Sequence, residues 1–159
     1  MRRRTKAREV ALQFLYQLDL RGDEVANNVD EFLASSSNDR EVLDFALRLI
    51  AGTRKLQPTI DVTLAKVARN WDLRRMATID RNALRMAIFE LLHCDDIPPK
   101  VSINEAIDLG KKFSTANSGA FINGILDRVK NEFVKPEKLK RSFETDRARP
   151  PRTSEAASG

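Results

Sequence analysis

The sequence predicts an all-α protein of about seven helices, and three observations carry that expectation. Apolar residues recur at spacings of three and four through most of 9–134. No segment alternates convincingly with period two, so nothing reads as a half-buried strand. Glycine is scarce in this span, and breaker residues concentrate where the periodicity lapses.

The elements follow in order. Val10, Phe14 and Leu18 share one helical face, with Ala7, Ala11 and Leu15 beside them; Gly22-Asp23 ends this helix. A second stops at Ser35-Ser36-Ser37-Asn38. Asn38 and Glu41 have the spacing of a capping box for a third, which carries Leu43, Ala46, Leu47 and Ile50. Pro58 is expected to end or kink that helix, because it lacks an N–H. It also suits the first position of a fourth, with Ile60, Leu64, Val67 and Trp71. The fifth spans Ile79–Cys94 and buries Leu84, Ile88 and Leu91. Pro98-Pro99 separates it from a sixth, where Ser102 and Glu105 form a second expected capping box before Ile103, Ala106, Ile107 and Gly110. The loop Ser114–Gly119 precedes the last helix, with Ile122, Ile125, Leu126 and Val129. The span Asn70–Thr78 divides residues 1–134 into halves of about 1–73 and 74–134. From Lys135 apolar residues nearly vanish and Pro150-Pro151 appears, so 135–159 is expected to be a basic, disordered tail.

A chain of 159 residues can bury one good core or two small half-cores. Its net charge of +5 is unevenly placed. Residues 1–8 carry five bases (Arg2, Arg3, Arg4, Lys6 and Arg8) and no acid, residues 9–134 have a net charge of −3, and 135–159 of +3. Basic ends suit phosphate neutralisation, and five cations running into a helix point to nucleic acid. The lone Cys94 excludes an intramolecular disulfide and fits a reducing compartment. No apolar run approaches the roughly 20 residues that cross a bilayer. Val10–Leu20, broken by Gln13, Gln17 and Asp19, is too polar for a signal peptide, so a cytoplasmic protein is expected.

Catalytic patterns are missing. Asp95-Asp96 and Asp23-Glu24 fall at helix ends, where acids cap and solvate. One His and one Cys cannot build the usual tetrahedral zinc site, and His93 has no evident orienting partner as a base. There is no glycine-rich phosphate loop and no serine elbow. A non-enzymatic protein without metal or cofactor is expected. Tyr16, at a boundary between polar and apolar faces, suits either a core edge or stacking on an unpaired base. Arg81 and Arg85 share a face with Asp80 alongside, which reads as cation supply or intrahelical pairing.

IDRNALRMAIFELL, then IPPKVSINEAIDLGKKFS, then FINGILD, with the opening RRRTKAREVALQFLY, resemble the NusB family of bacterial transcription antitermination factors. Together these motifs cover most of 2–130, and Leu20 to Arg69 agrees in helix pattern more than in motif. The resemblance implies two small helical bundles packed together. It implies binding of single-stranded boxA RNA in ribosomal RNA leader transcripts, jointly with the ribosomal protein NusE, within an antitermination complex on RNA polymerase. It places RNA contacts at Arg2, Arg3, Arg4, Lys6, Arg8 and Tyr16, polar residues near the RNA at Asp80 and Arg85, and an aromatic contact at Phe121. The NusE surface is expected mainly on the C-terminal half, and relatives are monomers or dimers, so a homodimer is an open expectation. Gly110, where alanine is usual, implies close helix packing. Asn117 stands at a loop position often acidic in relatives, and losing that charge favours phosphate approach. Two other readings remain. One is an RNA-targeting subunit for a ribosomal RNA methyltransferase, whose catalytic part would be a separate chain. The other is a helical protein-interaction module with an incidental arm.

Overall fold

The computed structural model describes residues 2–140. Among the described residues, in order, are α1 (Arg3–Arg21), α2 (Asp23–Ala26), α3 (Val29–Ser36), α4 (Arg40–Val67), α5 (Thr78–His93), α6 (Pro99–Phe113) and α7 (Ser118–Phe133), with a 3₁₀ turn at Leu73–Arg75 and a further helical stretch at 136–140. No strand occurs among the described residues. The all-α expectation is borne out.

Helix α5 is the axis. Ala83, Leu84, Met86, Ala87, Ile88, Phe89 and Leu91 are buried around its whole circumference, as expected of a helix enclosed by others. It packs against α1, α4, α6 and α7. One continuous core therefore runs from Ala7 to Val134 through both halves.

Several boundaries differ from expectation, each for a local reason. Helix α4 passes through Pro58 for 28 residues, because Ile60, Thr63, Leu64 and Val67 continue the buried stripe of Val42 to Thr53 beyond it. Burial there outweighs the lost hydrogen bond. Trp71 thus leaves the expected fourth helix and sits exposed in the connection. The expected second helix is divided into α2 and α3 around Asn27 and Asn28. The cap of α4 is Asp39, not Asn38: its carboxylate accepts from the Glu41 N–H at 3.0 Å. The Ser102–Glu105 box does not form either. Helix α6 starts earlier, with Pro99 in its first turn, and Ser102 lies buried inside it, its hydroxyl donating to Glu90.

Two glycines have packing reasons. A Cβ on Gly110 would lie 2.5 Å from Ile122 Cδ1 and 3.1 Å from Ser118 Cβ, so α6 and α7 are in close contact there and alanine would require the Ile122 side chain to shift. A Cβ on Gly52 would overlap the Phe89 ring where α4 meets α5. Gly22, at φ 56, ends α1 in a conformation that other residues rarely adopt.

The expected disorder from Lys135 is corrected for the described part. Residues 136–140 are helical, and Lys138 is buried with its ammonium donating to the carbonyls of Glu90, Leu91 and Cys94, each at 2.9 Å. Three donors meet three acceptors at the end of α5, where a cation also complements the helix dipole. Burial pushes the Lys138 pKa down, against the pull of Cys94 and nearby acids. The remainder of the expected tail, 141–159, lies outside the described residues.

Candidate nucleic-acid interface

The basic opening is helical from Arg3, so its cations pass from the exposed end of α1 toward the core within about two turns. Arg2, Arg3 and Arg4 are exposed. Arg3 reaches Asp39 and Glu41 at the start of α4, both at 2.9 Å. Arg4 lies 4.3 Å from the Phe45 ring centroid and 3.5 Å from Asp96. These are surface pairs, weak and readily exchanged for another anion. Asp96 is held down at about 2, chiefly by the hydrogen bond from Arg48. Lys6 is half-buried.

Arg8 breaks the series and corrects the expectation that it contacts RNA. It is only 2% exposed. Its Nε and Nη2 donate to the Glu90 carboxylate at 2.9 and 2.8 Å, and Nη1 lies 3.4 Å from Glu105. Burial works against its charge, but Glu90 and Glu105 outweigh that and raise its pKa. Ser102 donates to the same Glu90 carboxylate and Thr5 to Glu105, so the cluster ties α1 to α5 and α6. Such a bidentate, enclosed pair leaves nothing to offer a phosphate.

Along α1, the residues at 5, 9, 16 and 19 recur on one face. Thr5 meets Glu105, Glu9 accepts from Lys112 at 2.9 Å, Tyr16 is half-buried, and Asp19 accepts from Arg81 and Asn82. Burial would raise the Asp19 pKa, but the bonds from Arg81 and Asn82 win and lower it. Arg85 is 7% exposed and bound bidentately to Asp61 at 2.8 and 3.0 Å, with Asp19 at 3.3 Å. It braces α5 against α4 and α1, which corrects its expected place on the RNA surface, and the intrahelical pairing with Asp80 does not form.

Asp80 and Phe121 come together in a groove of about 320 Å³ beside the Asn70–Thr78 connection. Asp80 is 7% exposed, and one of its oxygens accepts from Ser118 at 3.1 Å. Phe121 meets the Trp71 ring edge-on, with centroids 5.1 Å apart. Asn117 lies on the same wall. The groove and the arginine opening lie toward opposite ends of α1, and Arg2 to Tyr16 alone spans about 20 Å at the helical rise. Trp71, expected on the fourth helix and not among the expected contact residues, also lines this groove; a lone tryptophan at the edge of a connection was the available signal.

The described surface thus presents exposed arginines near the start of α1 and, apart from them, an open aromatic groove. Among the described residues no group of three or more His, Cys, Asp or Glu could hold a metal, and no helix is long and apolar enough to cross a membrane.

The chain belongs to the NusB family, whose profile matches residues 5–131. It is 48% identical over 128 residues to the transcription antitermination protein NusB of Anaeromyxobacter dehalogenans (strain 2CP-1 / ATCC BAA-258), covering 80% of this chain and 89% of that protein. The structure of T. maritima NusB matches with a TM-score of 0.77 at 35% identity, over 86% of this chain and 96% of the other. A NusB solved with NusE and double-stranded RNA matches with a TM-score of 0.75 at 27% identity, over 84% and 99%.

Proposed function

We propose that this chain is a non-catalytic, cytoplasmic antitermination factor that binds the single-stranded boxA RNA of ribosomal RNA leader transcripts together with NusE, and helps RNA polymerase resist termination. The observation that carries the reading is the match, over most of the described chain, to a NusB solved with NusE and RNA. The surface supports it. Arg2, Arg3, Arg4 and Lys6 supply phosphate contacts and release counterions. Tyr16 and Phe121 offer ring faces to unstacked bases, and Asp80 offers an acceptor. Arg8 and Arg85 hold the helices that carry these groups.

The RNA in the related complex is double-stranded, so the test separates strandedness from sequence. A labelled boxA-like single strand, a scrambled strand and the corresponding duplex are titrated by fluorescence anisotropy, each with and without NusE. The boxA strand binds tightest, and NusE tightens it further by adding contact surface. Equal binding of boxA and scrambled strands in the presence of NusE overturns the reading.

A further inference from the structure

Trp71 is the only tryptophan in the chain, and 55% of it is exposed. Among the described residues no element covers its exposed part, although it is the largest apolar side chain present. Its position is nonetheless fixed. The Trp71 N–H donates to the Ala68 carbonyl at 2.9 Å, Asp72 caps the 3₁₀ turn that follows, and Met76 is buried at the end of that turn. The ring lines the groove with Phe121 at 5.1 Å and 68°, leaving an apolar wall open on one side.

The floor of the groove holds a second anomaly. Asp80 Oδ2 accepts from Ser118, and Ser118 Oγ is itself held by the Thr115 N–H at 3.2 Å. Asp80 Oδ1 is buried and has no hydrogen-bond partner among the described residues. An unpaired buried carboxylate oxygen is costly and asks for a donor. The outer torsion of an aspartate is broad, so a small turn of the carboxylate brings an acceptor to the groove. Arg75 lines the same groove as a cation for a phosphate.

We propose that the groove is a single-nucleobase subsite in which Trp71 is the stacking platform and Asp80 selects a base that carries an exocyclic amino group over uracil. The proposal rests on the RNA-binding reading above and deepens it. A flat π-face takes any base, so Trp71 supplies affinity and not choice. Choice falls to Asp80. A carboxylate oxygen accepts from an amino N–H, as acidic side chains do from the cytosine N4 group. Uracil offers only its N3–H, flanked by two carbonyls whose lone pairs face the same carboxylate.

Because Trp71 is the sole tryptophan, its emission reports on this site directly. The full chain is titrated with oligocytidylate, oligoadenylate and oligouridylate of equal length, following tryptophan emission and the anisotropy of a labelled strand. The amino-bearing strands change the emission and bind about tenfold tighter than oligouridylate. Trp71→Ala weakens binding of all three by about tenfold, and Trp71→Phe restores most of it. Asp80→Ala removes the preference; Asp80→Asn, which keeps the shape, is the companion variant, and the circular dichroism of both is compared with the parent. Equal affinity of the parent for all three strands, or Trp71→Ala binding like the parent, overturns the subsite. If anisotropy shows boxA binding while the emission stays unchanged, the subsite falls and the RNA-binding reading stands; if no RNA binds, both fall.

Discussion

Arg2, Arg3 and Arg4 on one hand, and Arg8 on the other, belong to the same basic run, yet they occupy opposite physical regimes. The first three project into solvent against surface acids. Arg8, about one helical turn further on, is enclosed and doubly bonded to Glu90. A charge run is therefore not a functional unit. Position along the helix axis, not helical phase, separates them: Arg4 and Arg8 are one turn apart on nearly the same face and both approach the Phe45 ring, but only Arg8 lies deep enough to be enclosed by Glu90 of α5 and Glu105 of α6.

The largest effect is expected at the buried member. Arg8→Ala leaves the Glu90 carboxylate buried without its counter-ion, which costs roughly 3–5 kcal/mol of stability. Replacing the pair together, Arg8→Met with Glu90→Leu, removes both charges and costs less, because no lone ion remains. Ser102 still loses its acceptor in that double variant, so the loss does not vanish. Urea unfolding of the parent, the single and the double variants checks this. Equal losses for single and double variants would show that packing, not charge, is what Arg8 contributes.

The exposed members should behave in the reverse way. Replacing Arg2, Arg3 and Arg4 by alanine leaves the melting temperature essentially unchanged. It weakens boxA binding by about tenfold or more and lowers the slope of log K against log salt by up to about two, on single-strand counterion release. Binding measured from low to moderate salt tests it. An unaltered slope would mean that these arginines do not touch phosphate, whatever their exposure.

The same contrast explains what could be read from the sequence. Periodicity located the helices, because burial on one face imposes spacing of three and four wherever a helix meets the core. Gly110 was legible as a close contact and proved to be one, against Ile122. Local signals failed where tertiary terms were larger. Pro58 reads as a stop, yet the buried stripe on both sides carries α4 through it. Ser102 and Glu105 read as a cap, yet both are engaged by the Arg8 cluster, which pairs residues about eighty to a hundred apart in the chain. Lys138 reads as part of a solvated tail, and only the three carbonyls at the end of α5 reveal its place. Of the candidate site, residue types were legible and partners were not. Nothing in the sequence shows that Asp61 and Asp19 take Arg85 inward, or that Trp71 meets Phe121.

The smallest effect sharpens the boundary between the two regimes. Arg3 is held by Asp39 and Glu41 before any RNA arrives, so phosphate must displace two carboxylates. Asp39 also caps α4, and asparagine caps as well as aspartate, so Asp39→Asn with Glu41→Gln removes both charges and keeps the helix start. Arg3 is then freed, and the local potential becomes more positive. The boxA association rate is expected to rise by about two- to fivefold at low salt, with the gain disappearing at high salt as screening shortens the field. Dissociation should change little, because long-range potential acts mainly on the encounter and not on contacts already made. Stopped-flow association across a salt series reads both quantities. A faster dissociation instead would place Asp39 and Glu41 in the bound interface, and would move the border of the arginine surface onto α4.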